Sequence, residues 1–298
     1  MRAAEVAVII LNWNSPGDTL ECLESLKAAK YPNYEVILVD NGSTDNSVAC
    51  FRAQYPSLTI IENGENLGFA EGNNVGIRCA IASKARYVLL LNNDTILEPH
   101  SLTELLEVAE DDPKIGIVGP KVVYDSDPGK IESAGGRANL FFGLFLNKGH
   151  NHPSSGCAGT KTVAYVSGSA LLIKTEVVEK VGLLDKDFFL YLEDIDWNFR
   201  AHLQGYRSVV NCDTTVRHKS GASRRSAPDL IYYYFARNSL LFLKKHGKWY
   251  HVLSFIPSFV AVYAVIFISS LVQGKRSRCK YIIAGVGDYL RGYHGRYR

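Results

Sequence analysis

The sequence lacks the marks of several protein classes. No Gly-X-Y period or fixed-length repeat runs through its 298 residues, and 10 prolines and 25 glycines are ordinary usage, so collagen-like, solenoid and low-complexity architectures fall away. Six cysteines, at 22, 50, 79, 157, 212 and 279, include no C-x-x-C pair. That spacing suggests neither a disulfide framework nor a cysteine-type zinc site, and makes a reducing compartment the default expectation. A secretory leader is not expected either, because the first apolar run, Val6 to Leu11, stops after six residues at Asn12.

What is present is a composition fit for a large core, 47% hydrophobic and 21% charged. Charge is unevenly placed. Residues 273–298 carry seven Lys and Arg against Asp288 alone, while the preceding chain is mildly acidic. Ahead of this basic tail, Val252 to Val272 runs 21 residues without a charge. At about 1.5 Å per residue that is roughly the thickness of a bilayer's hydrocarbon core. Pro257 and basic clusters on both flanks leave a single span and an in-plane helix both open. Anionic lipid, not nucleic acid, is the expected partner of the tail.

The first 120 residues alternate short apolar runs with helical patterns. Strands are expected at Val6–Leu11, Glu35–Val39, Thr59–Ile61, Tyr87–Leu91 and Ile115–Val118, with helices between them. Continuous apolar strands alternating with helices imply an α/β fold with a mostly parallel sheet covered on both faces, whose ligands sit at the carboxyl ends of the strands. From 121 to 161 loops and hairpins are expected near a binding face. Beyond them come a strand at Ser169–Ile173, helices at Thr175–Val181 and Asp194–Gln204 stopped by Gly182 and Gly205, and short strands at Arg207–Val210 and Thr215–Arg217. The division drawn is a catalytic domain over 1–228 and a helical, membrane-proximal appendage over 229–298, with the apolar segment at 252–272.

Three polar clusters follow the strands where a ligand belongs: Asn12-Trp13-Asn14, Asp40-Asn41-Gly42-Ser43, and Asn92-Asn93-Asp94. Each alone also suits an ordinary turn. A loop holding Asn66, Gly68 and Asn73 lies between them; its glycines allow close backbone approach, and the next helix would present free N–H groups to an anion. It is neither a G-x-G-x-x-G nor a Gly-Lys-Ser/Thr loop, which weakens dinucleotide and ATPase readings. A fourth cluster, Glu193-Asp194-Ile195-Asp196, crowds three carboxylates at a helix start. That pattern fits the helix dipole, yet crowding also raises the cost of ionisation and can ready a carboxylate to accept a proton. His218 ends a strand, and Asp94 is a partner it could share through a hard divalent cation.

The motifs VAVIILNWN, ILVDNGSTDNS, ENLGFAEGNNVG, LLLNNDT, the stretch from VSGSALLIKT to the Glu193-Asp194 helix, and VRHKSGAS together resemble family 2 glycosyltransferases of the GT-A fold, especially rhamnosyltransferase-like members, over about residues 5–245. The resemblance implies metal-dependent, inverting transfer of a sugar, rhamnose being the favoured one, from a nucleoside-diphosphate donor to a glycan or lipid-linked acceptor at the cytoplasmic face of a bacterial membrane. It places the donor nucleotide at Asn12, Trp13, Asn14, Asp40, Asn41, Asn66, Gly68, Asn73 and Asn93. A Mg²⁺ or Mn²⁺ ion falls at Asp94 and His218, with Asn92 standing where the family's motif has its first carboxylate. Asp194 matches the general base, beside Glu193, and Lys219, Arg224 and Arg225 are candidate diphosphate contacts. Two other functions stay open: a sugar-nucleotide-forming nucleotidyltransferase, whose basic Gly-rich first loop is here Asn12-Trp13-Asn14-Ser15-Pro16, and a non-catalytic binding scaffold.

Overall fold

The computed structural model describes residues 4–219 and 228–298. The chain begins with β1 (Val6–Asn12), α1 (Pro16–Lys27), β2 (Tyr34–Asp40), α2 (Ser47–Gln54), β3 (Thr59–Glu62), α3 (Gly68–Ala82), β4 (Tyr87–Asn92), β5 (Thr95–Leu97), α4 (Ser101–Asp111) and β6 (Ile115–Tyr124). β1 is apolar on both faces for a physical reason. Ala7 and Ile9 meet Ile77 and Ala80 of α3, while Val6, Val8 and Ile10 meet Leu23 of α1 and Leu102 of α4. Each such side chain taken wholly from water contributes about 1.5–3 kcal/mol. Strands β4, β1, β2 and β3 lie parallel in that order.

The middle of the chain makes β7 (Asp127–Ser133), which pairs with β6, then a hairpin of β8 (Gly136–Asn139) and β9 (Leu144–Asn147), and β10 (Thr160–Val163). The sheet is completed by β11 (Ala170–Lys174), antiparallel between β4 and β6, and β12 (Arg207–His218), parallel to β6. Helices α5 (Thr175–Val181) and α6 (Glu193–Leu203) join α3 on its face, where Trp197 is fully buried and its indole N–H donates to the Gly182 carbonyl at 2.8 Å.

Three expectations are corrected. The two short strands expected at 207–210 and 215–217 are one strand, β12, interrupted by a bulge between Asn211 and Thr215. The strand expected to stop at Val118 runs on to Tyr124, because Pro120 lies opposite Asn211 at that bulge, where the ladder is already irregular. Cys212, at the same bulge, is bonded to Cys157 with a Cα–Cα distance of 5.3 Å, so the cysteines, although no framework, form one bridge.

The C-terminal helices α7 (Leu230–His246), α8 (Trp249–Val272) and α9 (Arg276–Leu290) pack on the rest of the molecule. Phe242 of α7 joins Phe188, Leu192 and Ile195 in a buried cluster, and α9 lies along α7.

Candidate active site

At the carboxyl ends of β1 and β2 the polar side chains bond mainly one another. The Asn12 amide donates to Asp40 Oδ1 at 2.8 Å and Ser43 Oγ at 3.0 Å, while its oxygen accepts from Thr19 Oγ1 at 2.8 Å. Asp40 also accepts from the Ser43 hydroxyl and backbone N–H. Asn41 donates to Asn66 Oδ1 and the Gly68 carbonyl and accepts from Asn63 and the Leu67 N–H. Asn12 and Asn41 are therefore buried braces that shape the rim, and the exposed side chains there include Trp13, Asn14 and Thr44. Asn14 adopts a positive φ of 52° and accepts from the Thr44 N–H. Asn93 donates to Thr19, and Asn73 donates to the Phe69 carbonyl within its own helix.

The start of α3 does not offer free N–H groups. Phe69 and Ala70 donate to the carbonyl of Phe189 at 2.7 and 3.2 Å, and Gly68 donates to Asn66. Gly68 has φ of +82°, and a Cβ there would stand 2.5 Å from the Phe189 ring, so the approach requires glycine.

At the ends of β4 and β12 the structure brings Asp94 and His218 together, with His218 Nε2 3.0 Å from Asp94 Oδ1. The other ring nitrogen, Nδ1, lies 2.7 Å from Glu132 of β7. Burial pulls the His218 pKa down, but the hydrogen bonds to Asp94 and Glu132 overrule it and carry it up to about 10. A carboxylate on one ring nitrogen is the usual way to aim the other at an ion. An imidazole, one carboxylate and the nearby Asn92 amide are a donor set that fits Mg²⁺ or Mn²⁺ completed by phosphate oxygens and water. No group of three or more His, Cys, Asp or Glu side chains placed to hold an ion occurs among the described residues. Lys219 ion-pairs with Asp18 and Glu21 of α1, and Arg224 and Arg225 lie outside the described residues.

The carboxylate cluster divides by role. Asp196 is fully buried and bonded to Arg200, Lys245 and His246, which pull its pKa below the usual range against the effect of burial; it ties α6 to α7. Asp194 instead accepts N–H bonds from Gly168 at 2.9 Å and Ile195 at 2.8 Å. Burial raises its pKa, and those two donors restrain the rise. Glu193 is buried with Oε2 lacking a hydrogen-bond partner among the described residues, and burial first, then Asp194, holds its pKa well above the ordinary value.

One turn joins the two corners. Gly168 N–H grips Asp194, while the carbonyl of Ser169 accepts from the N–H of Asn92, two residues before Asp94. The loop leading to Glu193 is held from behind by a buried pair, Arg237 and Asn238. Arg237 donates to the carbonyls of Asp187 and Phe188, and the Asn238 amide to those of Phe188, Leu190 and Tyr191. Phe189, Tyr191 and Leu192 in this loop all have positive φ, conformations costly without such braces. Glu132, Gly168, Arg237 and Asn238 are thus the contributors that local patterns could not rank. A surface groove lined by Lys84, Arg86, Glu110 and Glu179 lies at the amino end of β4, the opposite edge of the sheet from these groups.

Residues 7–182 match the profile of glycosyl transferase family 2. Among curated proteins, the chain is 27% identical over 267 residues to the N-acetylglucosaminyl-diphospho-decaprenol L-rhamnosyltransferase of Mycobacterium tuberculosis, covering 83% of this chain and 87% of that one. It is 31% identical over 209 residues to a poly-beta-1,6-N-acetyl-D-glucosamine synthase of Staphylococcus aureus, covering 68% of this chain and 47% of that protein. Among solved structures, a mannosyltransferase from Pyrobaculum calidifontis in complex with GDP-Man and Mn²⁺ aligns with a TM-score of 0.58 at 17% identity, over 96% of this chain and 87% of that one. The fold is GT-A-like.

Proposed function

The chain belongs to glycosyl transferase family 2 and is a glycosyltransferase, and from that premise we propose that it moves a sugar, with rhamnose favoured, from a nucleoside-diphosphate donor to a glycan or lipid-linked acceptor at a membrane surface. The observation that carries this is the turn at Gly168 and Ser169, which ties a buried carboxylate to the end of β4, next to the Asp94–His218 pair. Asp194 accepts the proton of the acceptor hydroxyl as its oxygen attacks the anomeric carbon. Its raised pKa brings it nearer neutrality, where a general base works best. One displacement by one base inverts the anomeric centre. Asp94 and His218 would hold a divalent cation, which when bound neutralises charge growing on the departing diphosphate. Glu132 holds the His218 ring in place. Asp40, Ser43, Trp13 and Asn14 form the edge assigned to the nucleoside. The rhamnosyltransferase relative supports the donor choice, and the neighbour solved with Mn²⁺ supports the cation.

Release of nucleoside diphosphate from a panel of donors, with and without Mn²⁺, tests the proposal. Slow, cation-dependent release from deoxythymidine-diphosphate rhamnose, accelerated by acceptor, is expected. Pyrophosphate as product would instead mark a nucleotidyltransferase, and no turnover with any donor would mark a binding scaffold.

A further inference from the structure

Helix α8 is apolar from end to end, and only 6% of its most hydrophobic stretch is buried. By length and composition it could cross a membrane, yet its attachments say how it lies. One stripe faces inward. Phe255 is fully buried against Leu240 and Leu243 of α7, and Phe259 packs in the same cluster with Val286 and Tyr289 of α9. The Tyr263 hydroxyl bonds Ser239 of α7. At the far end, Cys279 Sγ of α9 lies 3.6 Å from the Phe267 carbonyl, and Lys275 N–H donates to the Ser270 carbonyl at 2.8 Å.

α9 is itself fixed on α7. Arg278 pairs with Asp229 at 2.8 Å, the Tyr233 hydroxyl donates to Asp288, and a Cβ on Gly285 would stand 2.4 Å from the Tyr233 carbonyl. A helix of 24 residues, about 36 Å long, is therefore tied near both ends to one side of a single body. A transmembrane orientation would carry one of its ends across roughly 30 Å of hydrocarbon and draw the charged α7–α9 contacts in with it.

The opposite stripe is bare: Leu253, Ile256, Val260, Val265, Ile268 and Val272 are exposed. The β8–β9 hairpin extends this surface. Phe141 stacks on Tyr250 with ring centroids 6.1 Å apart and meets His251 edge-on at 4.6 Å, while Gly143 lies against Phe255, leaving Phe142 and Leu146 exposed. Exposed Lys248 precedes the helix and exposed Lys275, Arg276 and Lys280 follow it, with no acidic residue on α8 itself. A long apolar stripe edged by cations and by Trp249 and Tyr250 complements the headgroup–acyl boundary of an anionic bilayer.

We propose that α8 lies in the plane of an anionic membrane surface, its outer stripe sunk to the acyl boundary and the β8–β9 tip dipping in beside it, without crossing. This deepens the membrane part of the proposed function, and its test is read without turnover, so the two can fail separately. Full-length Lys248→Cys and Gln273→Cys variants, with Cys50 and Cys79 replaced by Ser, are expressed, and inverted membrane vesicles and spheroplasts from the host are treated with a membrane-impermeant maleimide. Both positions should react in inverted vesicles and neither in spheroplasts. Reaction of the two from opposite sides would show a span and overturn the proposal. Protein recovered as a soluble dimer, with α8 covered by a second copy, would overturn it equally. For the hairpin, Phe142→Asp with Leu146→Asp should weaken binding of purified protein to phosphatidylglycerol vesicles at least tenfold, with circular dichroism unchanged. Undiminished binding by a folded variant would remove the hairpin from the contact.

Discussion

At the scale of single residues, the two adjacent acids are expected to differ sharply. Asp194→Asn should leave nucleotide binding near normal while lowering turnover at least about a hundredfold, the contribution of a positioned base. Glu193, whose Oε2 is buried without a hydrogen-bond partner among the described residues, has its pKa raised by burial and by Asp194, and Glu193→Gln should change turnover only a few-fold. Stability gives an independent check with a defined sign. A carboxyl whose folded pKa exceeds its unfolded one contributes fully below the unfolded value and loses that contribution as pH rises through the folded value. Glu193→Gln should therefore gain stability relative to the parent between pH 5 and 8 in urea titrations, and a pH-independent difference would mean that Glu193 is ionised. The pairing of Asp94 with His218 was readable as a possibility because each is a polar residue at a strand end, where a parallel sheet places its ligands, and Asp194 drew attention as a carboxylate at a helix start. Glu132 was not, since its role depends on a contact 86 residues away from His218 in the chain.

At the scale of elements, helix stops at Gly182 and Gly205 were readable from glycine chemistry. β6 runs past its expected end for a tertiary reason, because the bulge of β12 spares Pro120 the hydrogen bond it cannot donate. The free N–H groups expected at α3 were lost to Phe189, whose carbonyl arrives from 120 residues away. The loop that delivers that carbonyl depends on Asn238. Replacing Asn238 with Leu leaves the Phe188 carbonyl to Arg237 but strands those of Leu190 and Tyr191, and should cost about 1–3 kcal/mol, with turnover falling more than donor affinity. An unchanged ratio of the two would make Asn238 structural only. The bridge between β12 and the segment before β10 makes a further prediction. Titration of unfolded, unreduced protein should return four thiols, and the Cys157→Ser, Cys212→Ser double variant should lose up to about 4 kcal/mol, the loop-closure contribution for a 55-residue separation. Six thiols would show that the bridge does not persist.

At the scale of the whole molecule, the alternation of strands and helices made the sheet legible, because burial on both faces writes itself as uninterrupted apolar runs. The relation of the last 70 residues to the rest was less so. They read as an appendage, yet α7 supplies the braces behind Glu193 and α9 covers α7. Deleting residues 250–298 should therefore lower the melting temperature and turnover together, as well as release the protein from membranes. A truncated enzyme of full activity and stability would support the division into a catalytic domain and a separate appendage. The turn at Gly168 and Ser169 has a consequence at this scale too. Adjacent residues of one dipeptide bond the Asp194 carboxylate on one side and the Asn92 end of β4 on the other, so the two corners are coupled through a single peptide unit and not through a hinge between lobes. A displacement of either corner must therefore pull on the other through that peptide, so a substitution at Gly168 or Ser169 is felt on both sides at once.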